Sequence, residues 1–273
     1  MTICIGSICE NKYVILTTDR MITLLQPNIE YEQKEVLKAI EITPTCFAAT
    51  AGSAIAFTEV LSEALVEIDK DSIKNIKLIT ECIRRSYVNC RMGKVDEQIL
   101  LPLGLNIQQY WQMNQAISPQ VVALLLGNIR NYHHQLWVLI GGVDDHGGHL
   151  WNIENPGTKA CLDSIGFLAI GSGQDHAYST FITNQFSPSM DLSHGLAITF
   201  EAKKRSEKAT GVGELTDILI IYRDGYKRLS DDEIKQLNEI YDLRIEGEKN
   251  AIKEIDRLID QLDILPGNKK DDT

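Results

Sequence analysis

The order of strand-like and helix-like segments is the feature that most limits how this chain can fold. Short runs of apolar and small residues typical of antiparallel strands fill the first 50 residues, with breaks at Glu10-Asn11-Lys12 and around Pro44. Two helical segments follow, then a hairpin that turns at residues 144–148, then two more helical segments and a strand over residues 216–222. This order predicts an α+β fold in which sheets pack face to face and helices cover both outer sides.

Apolar residues at helical spacing predict the two pairs of helices in the body. The first pair covers residues 57–68 and 73–83, and Asp71-Ser72 is the expected cap of its second member. The second pair covers residues 175–185 and 192–208. The pattern alone supports the α+β class and goes no further.

Two further regions add to this body. Residues from about 90 to 135 predict a largely helical insertion. Ser230 and Glu233 predict a capping box, and the apolar stripe that follows is interrupted at Gly247, so two C-terminal helices are expected. We therefore expect one domain over residues 1–227, with the insertion inside it, and a helical extension over residues 228–273.

Composition and charge exclude several classes of function. The 273 residues include 27 Lys and Arg against 38 Asp and Glu, which gives a formal net charge of −11, so nucleic acid is not an expected partner. No stretch approaches the roughly 20 consecutive apolar residues of a membrane span, and no signal peptide is visible at the N-terminus. A soluble, cytoplasmic protein without a membrane partner is expected.

Cysteine and histidine do not form metal-binding or redox patterns. The six cysteines are scattered singly, which predicts reduced, mostly buried side chains. They are Cys4, Cys9, Cys46, Cys82, Cys90 and Cys161. Because His133-His134 and the pair His146 and His149 lack cysteine or carboxylate partners at ligand spacing, neither a metal site nor a cofactor is expected.

Six short motifs occur along the chain in the order found in one protein family. They are Thr2-Ile3-Cys4-Ile5-Gly6, Leu16-Thr17-Thr18-Asp19-Arg20, Lys38-Ala39-Ile40-Glu41-Ile42, Ala51-Gly52-Ser53, Leu139-Ile140-Gly141-Gly142-Val143-Asp144 and Phe167-Leu168-Ala169-Ile170-Gly171-Ser172-Gly173. On these motifs the chain resembles a proteasome β-type subunit, a member of the N-terminal-nucleophile hydrolases, over most of residues 2–226. The resemblance implies a four-layer αββα sandwich whose N-terminal threonine hydrolyses peptide bonds.

Thr2 is the residue on which this chemistry would depend. A threonine at the start of a chain can attack an amide with its own backbone amine as the base. An initiator methionine before so small a residue is usually removed, so we expect loss of Met1 to expose Thr2, without the self-cleavage of a prosegment. The resemblance implies that Asp19 orients Lys38, whose positive charge favours deprotonation of Thr2.

The resemblance assigns four more residues to the catalytic site. Gly52 matches the glycine whose backbone N–H faces the developing oxyanion, and Ser172 matches a serine that hydrogen-bonds near the threonine amine. Glu207 and Thr210 match an aspartate and a serine of the family, so both are changed in type, and the longer Glu207 side chain could disturb the network.

The family also implies how a peptide or an unfolded protein would bind. Thr23 matches a residue that pairs with the substrate backbone, so the substrate would add as a strand. Ile22, Thr50 and Ala54 would line the specificity pocket. Because these three are uncharged and small to medium in size, we expect a preference for an apolar residue before the scissile bond.

Three departures from the family affect these expectations. The spacing from Thr2 to Asp19 is one residue longer than expected, and the extra residue fits the Glu10-Asn11-Lys12 turn. The insertion and the C-terminal helices exceed an ordinary β subunit, and we expect them to alter ring assembly or to gate the site. The sequence does not identify an ATPase partner.

Three functions remain open at this point. The first is a peptidase assembled into homo-oligomeric rings or other closed oligomers. The second is an amidase that acts on a small amide with the same nucleophile. The third is a noncatalytic ring or scaffold subunit, against which the joint presence of Thr2, Asp19, Lys38 and Ser172 argues.

Overall fold

A computed structural model of the protein describes residues 2–25, 28–32, 37–113 and 116–262. The chain divides into two compact units, Met1–Leu229 and Ser230–Thr273. The first unit combines antiparallel sheets with helices, which confirms the predicted α+β class. Within the residues described, no helix has both the length and the apolar character needed to cross a membrane.

The first sheet contains the beginning of the chain. Its strands are β1 (Ile3–Cys9), β2 (Tyr13–Asp19), β10 (Phe167–Gly171), β11 (Thr216–Tyr222) and β12 (Gly225–Arg228). They run antiparallel in the order β10-β1-β2-β11-β12. Between β1 and β2, Glu10 and Asn11 have φ values of 51° and 55°, and the Lys12 N–H donates to the Cys9 carbonyl at 3.0 Å. Three residues thus connect the strands, and a β-turn whose two central residues have positive φ matches strand twist, so the predicted break closes a hairpin.

The second sheet packs on the first through buried apolar side chains. Its strands, in spatial order, are β5 (Ala39–Thr43), β6 (Cys46–Gly52), β7 (Leu136–Asp144), β8 (Gly147–Glu154) and β9 (Thr158–Cys161). One apolar cluster joins Val14 and Leu16 of β2 to Leu139 and Leu150 of the second sheet. A separate two-stranded ribbon contains β3 (Met21–Leu25) and β4 (Asn28–Glu32).

Helices α1 (Ala54–Lys70) and α2 (Ile76–Val95) pack on the other face of the second sheet. Their cluster unites Phe57 and Ile79 with Val138 and Ile140 of β7. The cap predicted at Asp71-Ser72 is wrong, because the Asn75 side chain accepts the N–H of Leu78 and so caps α2. Ser72 instead has φ 50° in the turn between the helices.

Two short helical turns and two helices fill the region predicted to be a helical insertion. A π-helical turn (Asp96–Leu100) and a 3-10 turn (Leu101–Leu103) continue from α2, and α3 (Ile107–Met113) and α4 (Pro119–Asn131) follow. They share their own apolar cluster, whose buried members are Val95, Leu100, Tyr110, Leu125 and Ile129. This region therefore packs around a core of its own.

Helices α5 (Gln174–Thr183) and α6 (Leu192–Ser206) contact β1 of the first sheet. A buried hydrogen bond of 2.7 Å between the hydroxyls of Ser7 and Thr199 ties β1 to α6. Three aromatic rings pack together near the loop between α5 and α6. They belong to Phe167 of β10, Phe181 of α5 and Phe186 of the loop, and they stack or meet edge to face. Helix α6 therefore has a fixed position beside β1, and its C-terminal end leads into the loop before β11.

The second unit contains one long helix, α7 (Asp231–Asp260). The predicted capping box is confirmed, since the Ser230 hydroxyl accepts the Glu233 N–H and the Glu233 carboxylate accepts the Ser230 N–H. The predicted division into two helices at Gly247 is wrong. Glycine inside a helix costs only about 1 kcal/mol relative to alanine. This cost is small enough for the helix to continue through Gly247.

Candidate active site

The β1–β2 hairpin brings the start of the chain to the end of β2. Cys4 lies opposite Thr18 in the antiparallel register, so Ile3 comes opposite Asp19 and Thr2 lies one residue beyond it. The Thr2 hydroxyl donates to Asp19 Oδ1 at 2.5 Å, and the Ile3 N–H donates to the same oxygen at 3.0 Å. Thr2 is buried, and the Asp19 side chain is fully enclosed.

Lys38 reaches this pair from the second sheet. It lies just before β5, and its Nζ donates to Asp19 Oδ1 at 2.5 Å and also to Thr2 Oγ1. The Lys38 side chain is 11% exposed, so the ion pair is shielded from water. Hydrogen bonds between charged groups in such surroundings are short and strong. Thr2, Asp19 and Lys38, which the sequence placed in one site, are therefore in mutual contact.

The second oxygen of Asp19 is held by backbone donors. The Gly213 N–H donates to Asp19 Oδ2 at 3.0 Å, and the Met21 N–H donates to it at 3.3 Å. Both carboxylate oxygens are thus engaged by donors from different parts of the chain. This arrangement fixes the plane of the carboxylate and therefore the direction in which it faces Thr2 and Lys38.

Ser172 lies against the backbone of Thr2. Its hydroxyl is within hydrogen-bond distance of the Thr2 carbonyl at 3.3 Å and of the Thr210 carbonyl at 3.2 Å. The preceding Gly171 has φ +105°, and a Cβ atom there would come within 2.2 Å of the Thr2 carbonyl oxygen. Only glycine allows the chain to pass so close to Thr2, which accounts for the first glycine of the Gly-Ser-Gly motif.

Glu207 and Thr210 enter the site indirectly. Glu207 follows α6, and its two carboxylate oxygens accept from Lys203 at 2.5 Å and from Lys204 at 2.7 Å. Thr210 contributes its backbone carbonyl to Ser172. Because this contact uses the backbone, it does not depend on the side chain at position 210.

The strand end that carries Gly52 belongs to the second sheet. Gly52 has φ +106° at the end of β6, and a Cβ atom there would lie 2.3 Å from the Gln135 carbonyl oxygen. Its link to the cluster runs through Thr50, whose carbonyl accepts the Cys4 thiol at 3.2 Å, two residues beyond Thr2. Ala54 begins α1 and is exposed.

The predicted substrate-binding residues divide into two groups. Thr50 is 9% exposed, and its hydroxyl donates to the Trp137 carbonyl at 3.3 Å. Ile22 and Thr23 belong to β3, directly after the strand that ends at Asp19, but their side chains lie outside the described residues. Because β3 begins two residues after Asp19, it starts next to the cluster of Thr2, Asp19 and Lys38.

A cysteine close to Thr2 does not provide a rival nucleophile. Burial raises the pKa of Cys4 to about 12, although the Lys38 charge acts in the opposite direction. Since a thiol reacts as its thiolate, the raised pKa disfavours Cys4 as a nucleophile at neutral pH. The Thr2 hydroxyl, which contacts both Asp19 and Lys38, is therefore the candidate nucleophile of the cluster.

Lys203 and Gly213 are the participants that the sequence did not reveal. Lys203 lies in the run Lys203-Lys204-Arg205, which is typical of a solvated helix face, yet its side chain is fully buried. Gly213 lies 194 positions from Asp19 along the chain. Neither spacing nor residue type indicated these contacts.

The chain is similar to known proteasome β subunits. No protein-family model matches it. A protein named Proteasome subunit beta from Methanospirillum hungatei is 32% identical over 173 residues, which cover 61% of this chain and 81% of that protein. The chain belongs to the proteasome β-subunit family.

Other family members match shorter stretches. Proteasome subunit beta 1 of Korarchaeum cryptofilum is 34% identical over 121 residues, or 43% of this chain and 56% of that protein. Proteasome subunit beta of Methanosarcina barkeri is 25% identical over 147 residues, or 52% of this chain and 68% of that protein. In each case part of the chain lies outside the aligned stretch, so family membership describes the shared body.

Proposed function

We propose that the protein is a threonine peptidase in which Thr2, exposed by removal of Met1, is the nucleophile. The observation that carries the proposal is the buried contact of the Thr2 hydroxyl with both Asp19 and Lys38. Membership of the proteasome β-subunit family supports the same chemistry. The two facing sheets, with α1 and α2 on one and α5 and α6 against the other, support the four-layer αββα sandwich of that family.

In the proposed reaction the Thr2 hydroxyl attacks the carbonyl carbon of the scissile amide. The α-amine of Thr2 accepts the hydroxyl proton, directly or through a water, and then passes a proton to the leaving amine. A water molecule then hydrolyses the ester formed on Thr2, which releases the acid product and restores the Thr2 hydroxyl. The Lys38 ammonium beside Oγ1 stabilises the negative charge that develops there. Asp19 accepts hydrogen bonds from both Lys38 and the Thr2 hydroxyl, and so keeps the two groups next to each other.

The remaining catalytic roles concern the oxyanion and the amine. The Gly52 N–H would stabilise the negative carbonyl oxygen of the tetrahedral intermediate, a contribution that for comparable donors is about 100-fold to 1,000-fold in rate. Ser172 would hold the Thr2 backbone, and with it the amine, in place. Glu207 and Thr210 would act through Lys203 and Ser172, respectively.

The proposed substrate is a peptide or an unfolded protein bound in extended form. Thr23 would pair with its backbone along β3, and Ile22, Thr50 and Ala54 would receive an apolar side chain before the cut. We further propose that the protein works in the cytoplasm as a homo-oligomeric ring, because its relatives are named as proteasome subunits. No ATPase partner is assigned.

Peptide hydrolysis by three forms of the protein tests this function. Wild type should cleave fluorogenic peptides after apolar residues, Thr2→Ser should retain activity because it keeps a hydroxyl, and Thr2→Ala should be inactive. All three side chains are small enough for removal of Met1. Activity that persists in Thr2→Ala would overturn the proposal, and equal cleavage after arginine would overturn the specificity.

Hydrolysis of small acyl amides and the oligomeric state, measured for the same three forms, separate the two alternatives. An amidase would hydrolyse small acyl amides and leave the peptides intact, while still requiring Thr2. A noncatalytic ring subunit would hydrolyse neither substrate and would retain its oligomeric state in Thr2→Ala.

A further inference from the structure

Lys203 carries a fully enclosed charge beside the candidate site. Its side chain is 0% exposed on α6. Its Nζ donates to Glu207 Oε1 at 2.5 Å, to the Gly213 carbonyl at 3.0 Å and to the Glu214 carbonyl at 2.7 Å. An ammonium group has three N–H donors, so every donor of Lys203 has an acceptor.

Two of these acceptors lie in the loop that joins α6 to β11. The same loop donates the Gly213 N–H to Asp19 Oδ2, and the Leu215 carbonyl accepts the Arg20 N–H at 3.2 Å. Lys203 therefore bonds to the same three-residue stretch of the loop, residues 213–215, that bonds to Asp19 and Arg20. The loop is the connection between the buried lysine and the carboxylate that orients Thr2.

We propose that Lys203 is a positioning residue that fixes the Gly213 N–H on Asp19 and thereby sets the direction of the Asp19 carboxylate toward Thr2 and Lys38. This inference rests on the proposed function of Thr2. A small displacement of a reacting group costs a large factor in rate, so the loop must be held closely. Glu207 then acts as the counter-charge of Lys203.

Packing alone does not account for a lysine at this place. Taking an ammonium group out of water is costly, and apolar residues of similar volume often replace buried ion pairs without loss of stability. Burial holds the pKa of Lys203 below its ordinary range, although the Glu207 carboxylate acts against this effect. What an apolar residue could not supply is the pair of donors to the Gly213 and Glu214 carbonyls.

Lys203→Met is the first test, with Lys204→Met as the matched control. Lys204 is the next residue on the same helix and bonds to the same carboxylate, but its side chain is 20% exposed. Lys203→Met should lower kcat for peptide hydrolysis by about 30-fold or more with KM within two-fold of wild type, because binding is untouched. Lys204→Met should change neither. A normal kcat in folded Lys203→Met would overturn the proposal.

The double variant Lys203→Met/Glu207→Gln separates positioning from charge balance. If Lys203 served only to neutralise Glu207, removal of that charge would restore kcat. Since the loop carbonyls remain without their donors in the double variant, we expect kcat to stay as low as in Lys203→Met. Recovery to within two-fold of wild type would contradict the role given to the loop.

Amide hydrogen exchange tests the same inference without any catalysis. The Gly213 and Ile3 amides, which both donate to Asp19, should exchange about 10-fold faster or more in Lys203→Met and at the wild-type rate in Lys204→Met. A wild type that cleaves no peptide but shows this pattern would refute the proposed function and leave the positioning role intact. Should Lys203→Met not fold, a wild-type Gly213 amide that is protected supports the proposal, and one that exchanges as in an unstructured peptide overturns it.

Discussion

Asp19 and Asp144 each end a β-strand and each gather donors from several segments, yet only one of them lies in the candidate site. Asp144 Oδ2 accepts the Ile76 N–H and the Asn75 side chain, each at 3.1 Å, at the start of α2. Its Oδ1 accepts the His146 N–H at 2.8 Å and contacts His149 Nε2 at 3.0 Å. Asp19 also accepts from backbone N–H groups, but in addition it accepts from the Thr2 hydroxyl and the Lys38 ammonium group.

The comparison shows that a well-satisfied carboxylate at a strand end is a general means of joining segments. The hydrogen-bond partners of Asp144, which we call the Asp144 cluster, are Asn75, Ile76, His146 and His149. They join the turn after β7 to a helix N-terminus and include neither a hydroxyl nor an ammonium group. A cavity of about 540 Å³ lies beside Asp144, with Arg223 and Asp224 in its lining, so cavity size alone does not identify the site. The chemistry proposed for Asp19 comes from its partners Thr2 and Lys38.

The largest difference between the two aspartates should appear when the Lys38 ammonium group, which bonds to Asp19 and has no counterpart at Asp144 among the residues described, is removed. We expect Lys38→Met to lower kcat/KM for peptide hydrolysis by about 1,000-fold, because the charge beside Oγ1 is lost. Lys159→Met is the matched control, since Lys159 forms a partly exposed ion pair with Glu81. Steady-state hydrolysis of a fluorogenic peptide gives both values, and equal losses in the two variants would contradict the role of Lys38.

Asp19→Asn should have the next largest effect. It keeps the shape of the side chain but leaves the buried Lys38 without a counter-charge, so we expect a loss of about 100-fold in kcat and of about 3 kcal/mol in the free energy of unfolding. Kinetics and urea unfolding measure the two losses. Unchanged kcat in folded Asp19→Asn would remove Asp19 from the site.

Asp144→Asn should affect stability and leave catalysis alone. The amide keeps one acceptor oxygen where the carboxylate had two, so donors at the start of α2 lose a partner, and we expect about 1–3 kcal/mol of destabilisation. The activity per folded molecule should remain within two-fold of wild type. A loss of activity as large as that of Asp19→Asn would show that the two clusters are not separate in function.

The smallest effect should be a pH dependence confined to the Asp144 cluster. Hydrogen bonds to Asp163 and Asp144 raise the pKa of His149 above its ordinary value. Its stabilising contribution is therefore complete below about pH 6.5 and is lost as the pH rises through the folded-state pKa. Relative to His149→Gln, wild type should lose stability as the pH rises above about 6.5 in denaturant unfolding. If the free energies of unfolding of wild type and His149→Gln changed in parallel with pH, the stabilising role of protonated His149 would be contradicted.

The sequence predicted those parts of the molecule that local pattern determines. The β1–β2 hairpin follows from the polar break at Glu10-Asn11-Lys12, and the capping box follows from Ser230 and Glu233. The short strands β3, β4, β9, β10 and β12 were not predicted, because pairing with a neighbour defines them more than their own residues do.

The candidate site was predictable only as far as family motifs extend. Thr2, Asp19 and Lys38 lie on such motifs and meet in space. Lys203 has neighbours typical of a solvated helix, and its burial depends on a loop that follows the helix. Gly213 is brought to Asp19 by the pairing of β11 with β2, which is a property of the fold.

Reaction with a peptide epoxyketone tests the central claim most directly, because this reagent bonds to both the hydroxyl and the amine of an N-terminal threonine. Intact and fragment masses of the purified protein should show a chain without Met1 and a single adduct confined to Thr2. The Thr2→Ala variant should show no adduct. Retention of Met1 together with an unmodified Thr2, or an adduct on another residue, would contradict the account of Thr2 as the nucleophile.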